Sequence, residues 1–199
     1  LTITCLVQAG QTTNSANQPN FIIIYTDDMG YADAGPFGDP LISTPSIDSL
    51  AEDGQVWTNF YAAASVCTPS RGALLTGKLP VRTGLYGDNI SVFFPDSKSG
   101  IPHSEKTIAE VFQDNRYATG MFGKWHLGDA EIYYPTRHGF DEWLGIPYSN
   151  DMNWEIEGIT SKNIFTPPER VAAKYQKIVP KIRENIFKPD ISDWQVPLI

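Results

Sequence analysis

The strongest constraint on the fold is an unbroken apolar stretch, residues 21–26, that stops abruptly at two adjacent aspartates. Its β-branched side chains are typical of a buried parallel strand. Residues 117–122 form a second stretch of the same kind. Since parallel strands end at one edge of a sheet, we expect Asp27 and Asp28 to lie near the residues that follow position 122.

Helix signals alternate with these strands. Thr44 and Pro45 form an N-cap and a first helical residue, and Gly54 follows as a stop. Thr107 and Glu110 form a capping box, which marks the beginning of another helix. The alternation predicts an α/β fold with a mainly parallel sheet and helices on both of its faces.

Further elements follow from local pattern alone. Residues 56–61 are predicted to form a strand, and residues 70–76 a helix. Residues 79–102 are rich in Gly, Pro and Ser, which predicts a long surface connection. Helical spacing of apolar residues recurs over residues 170–187.

Composition limits the classes of function. With 199 residues, of which 41% are hydrophobic and 19% charged, the chain has the material for one sizeable domain. A net charge of −8 argues against a nucleic-acid surface. An anionic substrate would then need locally concentrated positive charge, which the following residues offer: Arg71, Lys78, Arg82, Lys124 and His126. No apolar run approaches the roughly 18 residues of a membrane span.

The N-terminus resembles the end of a secretory leader. Residues 1–9 are apolar and end in Val7-Gln8-Ala9, a small-residue cleavage pattern, so residues 1–18 are interpreted as a leader remnant with a polar segment. The alternative is a first strand or an exposed tail. A glycosylation sequon at Asn89 also favours the secretory pathway, with a lysosomal or extracellular destination.

The chain has two cysteines, Cys5 and Cys67, and cleavage after Ala9 would remove Cys5 and leave Cys67. A single thiol in an oxidising compartment has no internal disulfide partner, and the usual explanation is a buried inert side chain. Here, however, residues 67–77 read C-T-P-S-R-G-A-L-L-T-G. This run resembles the signature of the type I sulfatases, in which the cysteine is converted to formylglycine.

The resemblance implies a chemistry for position 67. A hydrated aldehyde attacks sulfur with one hydroxyl, and after the alcohol leaves, the second hydroxyl expels sulfate by collapsing back to the aldehyde. A thiol has no such release route. In the family, Pro69 and Arg71 belong to the pattern read by a formylglycine-generating enzyme, and Arg71 stabilises the diol.

Three more segments carry the resemblance. The first, D-D-M-G-Y, implies that Asp27, Asp28 and the modified Cys67 bind Ca²⁺ or occasionally Mg²⁺, although carboxylates after a strand are more often solvated. The second, G-K-W-H-L-G, implies that Lys124 and His126 are catalytic and bind substrate. The third, I-P-Y-S-N-D, resembles arylsulfatase A-like enzymes and implies that Ser149 lies near the formylglycine. His103 and His138 have no such frame and are interpreted as ordinary loop residues.

The resemblance covers residues 19 to about 151, and residues 19–199 are interpreted as the N-terminal part of a sulfatase catalytic domain. It implies an alkaline-phosphatase-like fold that is incomplete at the C-terminus. The remaining metal ligands and the acid for the leaving group would lie beyond residue 199, so the chain alone is expected to be inactive. The implied reaction is hydrolysis of aromatic or sugar sulfate monoesters. A phosphate or phosphonate monoester hydrolase and a truncated, non-catalytic decoy are the alternatives.

Overall fold

The computed structural model describes residues 18–86 and 92–152, the backbone of residues 3–9, 155–156 and 159–160, and residues 173 and 177. Its strands are β1 (Ile3–Ala9), β2 (Ile22–Tyr25), β3 (Tyr117–Lys124), β4 (Glu142–Ile146), β5 (Glu155–Ile156) and β6 (Ile159–Thr160). Its α-helices are α1 (Pro45–Asp53), α2 (Cys67–Thr76), α3 (Pro80–Thr83) and α4 (Ile108–Asp114). Single turns of 3-10 helix cover Tyr31–Asp33, Gly35–Phe37, Glu131–Tyr133 and Pro135–Arg137.

The main sheet has the strand order β2-β1-β3-β4. β3 and β4 pair in parallel, from Gly120 opposite Glu142 to Lys124 opposite Ile146. β1 is antiparallel to both β2 and β3, so β2, β3 and β4 all run in one direction. The carboxyl ends of these three strands therefore lie at the same edge, and the predicted α/β class is confirmed.

The apolar N-terminal segment, predicted as a leader, forms the inner strand β1. Thr4 lies opposite Ile24 of β2 and Phe122 of β3. This position corresponds to the alternative of a first strand, and its antiparallel direction makes the sheet less uniformly parallel than predicted. Cleavage after Ala9 stays a prediction.

β2 forms where the sequence predicts a strand, but it is buried on one side only. It is an edge strand of the described sheet, and Ile22 and Ile24 remain 58% and 60% exposed. Ile23 and Tyr25 pack against the core. The expectation of a fully buried strand is therefore wrong for these described residues, because no layer covers the second face.

The strand predicted over residues 56–61 is wrong. This segment lacks strand structure, and Trp57, Phe60 and Tyr61 are exposed. Aromatic and β-branched residues favour a strand only where a neighbouring strand pairs with them, and no described strand does so here.

The helix predictions are largely confirmed. α1 begins after Thr44 and α4 after the Thr107–Glu110 capping box. α2 begins at Cys67, three residues earlier than predicted, and ends at Gly77, whose left-handed φ of 65° lets its N–H bond the Ala73 carbonyl. No helix of the described residues has the length and apolar character needed to cross a membrane.

The core lies beside α2, α4 and the end of β3. It is built from the buried side chains of Leu75, Leu85, Phe93, Ile101, Ala109, Met121, Trp125, Leu127 and Phe140. Leu85, Phe93 and Ile101 belong to the stretch predicted as a surface connection, so that prediction is wrong for these three residues. Asn89 and, apart from residues 173 and 177, the segment of helical spacing over 170–187 lie outside the described residues.

Candidate active site

The predicted site residues meet at the carboxyl edge of the sheet, around the carboxylate of Asp27. Asp27 follows β2, and its Oδ1 accepts a hydrogen bond from Arg71 Nη2 at 2.8 Å. Its Oδ2 accepts one from Lys124 Nζ, also at 2.8 Å. Burial raises the pKa of Asp27, but the hydrogen bonds and charges of Lys124 and Arg71 outweigh it, so the pKa is lowered overall and the group is an anion.

Cys67 is the first residue of α2, and its half-buried side chain faces this carboxylate. The sulfur lies 3.8 Å from Asp27 Oδ1 and 3.1 Å from Lys124 Nζ. The first turn of a helix has unpaired backbone N–H groups, which favour an anionic group at that position. The site therefore surrounds Cys67 with a carboxylate, an ammonium group and a helix N-terminus.

Arg71 lies one turn further along α2 and is 1% exposed. Nη1 donates to the Lys124 carbonyl at 2.8 Å, while Nη2 bonds Asp27. The guanidinium carbon lies 5.6 Å from the centre of the Tyr25 ring, within range of a cation–π contact. Tyr25 also bonds Ser70 through its hydroxyl, so β2 and α2 are joined at two points.

Lys124 ends β3 and is also 1% exposed. Besides Asp27 and Cys67, its ammonium group bonds Ser149 Oγ at 3.1 Å. Ser149 reaches this position because the chains after β3 and β4 stay paired, with Trp125 N–H on the Ile146 carbonyl. Ser149 and Cys67 thus both contact the ammonium group of Lys124, which brings Ser149 near position 67.

His126 is fully buried and has a left-handed backbone, with φ of 61°. Its Nε2 lies 2.8 Å from the Phe93 carbonyl, which can only accept. Nδ1 has no hydrogen-bond partner among the described residues. Burial, together with the charge of Lys124, lowers the pKa of His126 to about 3, so the ring is neutral.

Asp27, Asp28 and Cys67 form a group that is able to hold a metal ion. Their ligand atoms lie within 4.8 Å of one another, and Asp28 is exposed. The two carboxylates suit a hard cation such as Ca²⁺, whereas a thiol does not. An oxygen in place of the sulfur would remove that mismatch, so the donor set fits a calcium or magnesium ion once position 67 is oxidised.

Two further basic residues considered for the site lie outside it. Lys78 is half exposed and pairs with Glu105 at 2.6 Å. Arg82 is exposed in α3. His138, interpreted as an ordinary loop residue, is instead 1% exposed and stacks on His103.

Three residues that contact the site were missed by sequence reasoning: Tyr25, Thr68 and Phe93. Tyr25 lies two residues before Asp27, and its polar group within an apolar strand was the available signal. Thr68 is next to Cys67, but the signature that residues 67–77 resemble leaves the residue type at this position open. Phe93 contributes through its backbone, and nothing in its side chain indicates that role.

Comparison with known proteins decides the family. The sequence model of the Sulfatase family matches residues 19–192. The chain belongs to the sulfatase family. Arylsulfatase A from Bos taurus is 48% identical over 172 residues, which is 85% of this chain and 33% of that protein. N-acetylgalactosamine-6-sulfatase from Homo sapiens is 42% identical over 173 residues, 84% of this chain and 33% of that protein.

Solved structures share the fold of this chain. The crystal structure of Ps i-CgsB covers 87% of this chain with a TM-score of 0.60 and 33% identity, and 34% of that protein is matched. The crystal structure of Ps i-CgsB in complex with k-i-k-neocarrahexaose has a TM-score of 0.61 and 32% identity, and the match covers 87% of this chain and 34% of that chain. The chain therefore spans about a third of the length of the relatives that it matches.

Proposed function

We propose that the full-length protein hydrolyses sulfate monoesters, with residues 19–199 forming the N-terminal part of its catalytic domain. The observation that carries this proposal is the convergence of Asp27, Arg71 and Lys124 on Cys67. Names of similar proteins, arylsulfatase A and N-acetylgalactosamine-6-sulfatase, support an aryl or sugar sulfate as the substrate class.

Cys67 is proposed to act as formylglycine, produced by a formylglycine-generating enzyme. In the structure its Sγ stands in for an oxygen of the aldehyde hydrate. One hydroxyl of the hydrate would lose its proton and form a bond to sulfur, while the bond from sulfur to the alcohol oxygen breaks and that oxygen takes up a proton to leave as the alcohol. The second hydroxyl then loses its proton, the bond from carbon to the sulfate oxygen breaks, and the aldehyde is restored. Arg71 and Lys124 are both buried and share the single carboxylate of Asp27. This arrangement leaves one positive charge in excess, which supports the binding of an anion such as a sulfate group.

Each neighbouring side chain has a separate task. Lys124 Nζ, 3.1 Å from the atom at position 67, is suited to bind an oxygen of the transferred sulfate. Ser149 Oγ fixes the direction of that ammonium group. Arg71 holds Asp27 from the opposite side and keeps its carboxylate ionised.

His126 is proposed to accept a proton from the hydrate. Its Nε2–H is committed to the Phe93 carbonyl, so the lone pair of the neutral ring lies on Nδ1. The pKa of about 3 keeps this lone pair free above pH 4. The collapse of the second hydroxyl needs a proton acceptor, and the negative charge of a bound sulfate would raise the pKa of His126 toward the operating pH.

Asp27, Asp28 and the oxidised residue 67 would hold Ca²⁺ or Mg²⁺. When bound, the ion supplies positive charge that stabilises anionic oxygen. These three residues provide fewer than the six to eight oxygen ligands that calcium takes, so other ligands must complete the shell.

Two measurements test the proposal on the full-length protein. Mass spectrometry of the peptide that spans Cys67 should show a loss of about 18 Da, the difference between CH2SH and CHO, in cells with the modifying enzyme. Rates with nitrophenyl sulfate and nitrophenyl phosphate should favour the sulfate. An unmodified thiol in an active enzyme would refute the mechanism, and dominant phosphatase activity would favour the phosphate or phosphonate alternative. Absence of activity toward both esters despite complete modification would refute the proposed hydrolysis.

The compartment is also a proposal. The leader predicted in residues 1–18 and the sequon at Asn89 favour entry into the secretory pathway, with a lysosomal or extracellular destination, whereas the pairing of residues 3–9 as β1 counts against the leader. Glycosidase treatment of the protein from eukaryotic cells should lower its apparent mass if Asn89 carries a glycan.

A further inference from the structure

We propose that Thr68 is a positioning residue that sets the orientation and the tautomer of His126. The inference rests on the proposed function above, in which His126 accepts a proton. Thr68 is the second residue of α2 and is completely buried. Its Oγ1 donates to the His126 carbonyl at 2.9 Å and accepts from the Phe93 N–H at 3.0 Å.

These contacts close a ring of hydrogen bonds through three separate segments of the chain. Thr68 bonds the backbones of Phe93 and His126, and the His126 side chain returns to the Phe93 carbonyl at 2.8 Å. The threonine hydroxyl is the group that both donates and accepts in this ring. Without it, one buried N–H and one buried carbonyl would each lose this partner.

The ring determines which nitrogen of His126 carries the proton. The Phe93 carbonyl has no proton to give, so Nε2 must be the donor and Nδ1 the acceptor. Nδ1 is buried and has no partner among the described residues, which leaves it for the reacting group. Thr68 acts on this choice by holding the Phe93 backbone in place.

Thr68 also supports an uncommon backbone conformation. His126 has φ of 61°, a left-handed region that is unfavourable for a non-glycine residue. Two bonds hold it there: its N–H donates to the Pro147 carbonyl at 2.9 Å and its own carbonyl accepts from Thr68. Loss of the second bond would let the imidazole leave the orientation in which Nε2 bonds the Phe93 carbonyl.

A simple structural role predicts different behaviour. If Thr68 only stabilises α2, its replacement should lower the unfolding temperature and leave the turnover of folded enzyme unchanged. If it positions His126, the loss should appear in kcat and should depend on the presence of His126.

The test compares Thr68→Val, which keeps the shape and removes the hydroxyl, with Thr68→Ser, which keeps the hydroxyl. Both are made in the full-length protein, and kcat is expressed per mole of formylglycine measured by mass spectrometry. This correction is needed because Thr68 lies inside the modification motif. Thr83→Val is the matched control, since Thr83 is also buried, at 4% exposed, and among the described residues its hydroxyl bonds the Pro80 carbonyl within α3.

We expect Thr68→Val to lower the corrected kcat by roughly 10- to 100-fold with a smaller change in KM. The corrected kcat of Thr68→Ser and of Thr83→Val should stay within about threefold of the parent value, because both substitutions keep the ring of hydrogen bonds intact. In a His126→Gln background, Thr68→Val should have little further effect on kcat, because the residue through which it acts is gone.

An unchanged corrected kcat in Thr68→Val, or an equal loss in the presence and absence of His126, would overturn the inference. If Thr68→Val does not fold, Thr68→Ala takes its place in the same comparison. Nitrogen NMR of the unmutated enzyme is an independent check, and a proton on Nδ1 of His126 would also overturn it. An inactive or unmodified parent enzyme would instead count against the proposed function.

Discussion

Replacement of Arg71 by methionine tests how much the buried ion pair contributes to stability. Methionine keeps much of the length of the side chain and removes the guanidinium group. The change leaves Asp27 Oδ1 and the Lys124 carbonyl without the bonds that Arg71 donates at 2.8 Å. Asp27 retains its bond to Lys124 and the long contact of 3.8 Å from Cys67 Sγ, and its side chain is 15% exposed.

The expected cost is large because little water is available to replace these bonds. Removal of one partner from a buried ion pair typically costs about 3–5 kcal/mol. The remaining bond to Lys124 and the partial exposure of Asp27 place this variant near the lower end, at roughly 3 kcal/mol. Arg137→Met is the matched control, because its pair with Glu131 is 55% and 72% exposed and should contribute less than about 1 kcal/mol.

The assay is urea unfolding of the full-length protein followed by fluorescence, with a chelator present so that no metal ion compensates for the lost charge. The free energy of unfolding should fall about 3 kcal/mol for Arg71→Met and much less for Arg137→Met. Equal losses in the two variants would show that burial of the pair does not determine its contribution, and the reasoning would fail.

Three further predictions concern pH, sulfate binding and the metal. Burial, then the charge of His103, lowers the pKa of His138 to about 4, although Glu110 opposes this. The unfolded state therefore binds more protons between pH 6.5 and 4, so the free energy of unfolding is greatest above pH 6.5 and should fall by roughly 1–3 kcal/mol toward pH 4. In urea unfolding, His138→Gln should flatten this pH dependence. An unchanged pH dependence in His138→Gln would contradict the prediction. Lys124→Met should lower kcat for nitrophenyl sulfate by roughly 100- to 1,000-fold, whereas Lys78→Met, which removes a half-exposed ammonium group, should leave it nearly unchanged; similar losses would count against a role in sulfate binding. Dialysis against a chelator should abolish activity and added Ca²⁺ should restore it, while full activity after verified metal removal would disprove the metal assignment.

Local sequence was enough to predict the elements that depend on neighbouring residues. The capping box of α4, the proline start of α1 and the apolar strand β3 form as predicted, because caps and side-chain periodicity act within a few residues. The strand predicted over residues 56–61 fails, because pairing depends on distant parts of the chain.

The polar groups of the site could likewise be predicted where the signal is local. Sequence alone identified Asp27, Cys67 and Lys124, since side chains with this chemistry stand in recognisable runs at strand and helix ends. Their assembly around one carboxylate agrees with that expectation. The sequence thus predicted which groups stand at the proposed active site.

Only the tertiary structure decided how His126 is held. The bonds from Thr68 to Phe93 and His126 connect residues 25 and 58 positions apart. The His126 carbonyl accepts one of them, and the Phe93 carbonyl accepts the bond from the His126 ring. A carbonyl is present at every position, so its role is invisible in the sequence until folding brings it to a particular donor. The identity of the reacting groups is therefore local information, whereas their protonation and orientation depend on contacts that exist only in the folded protein.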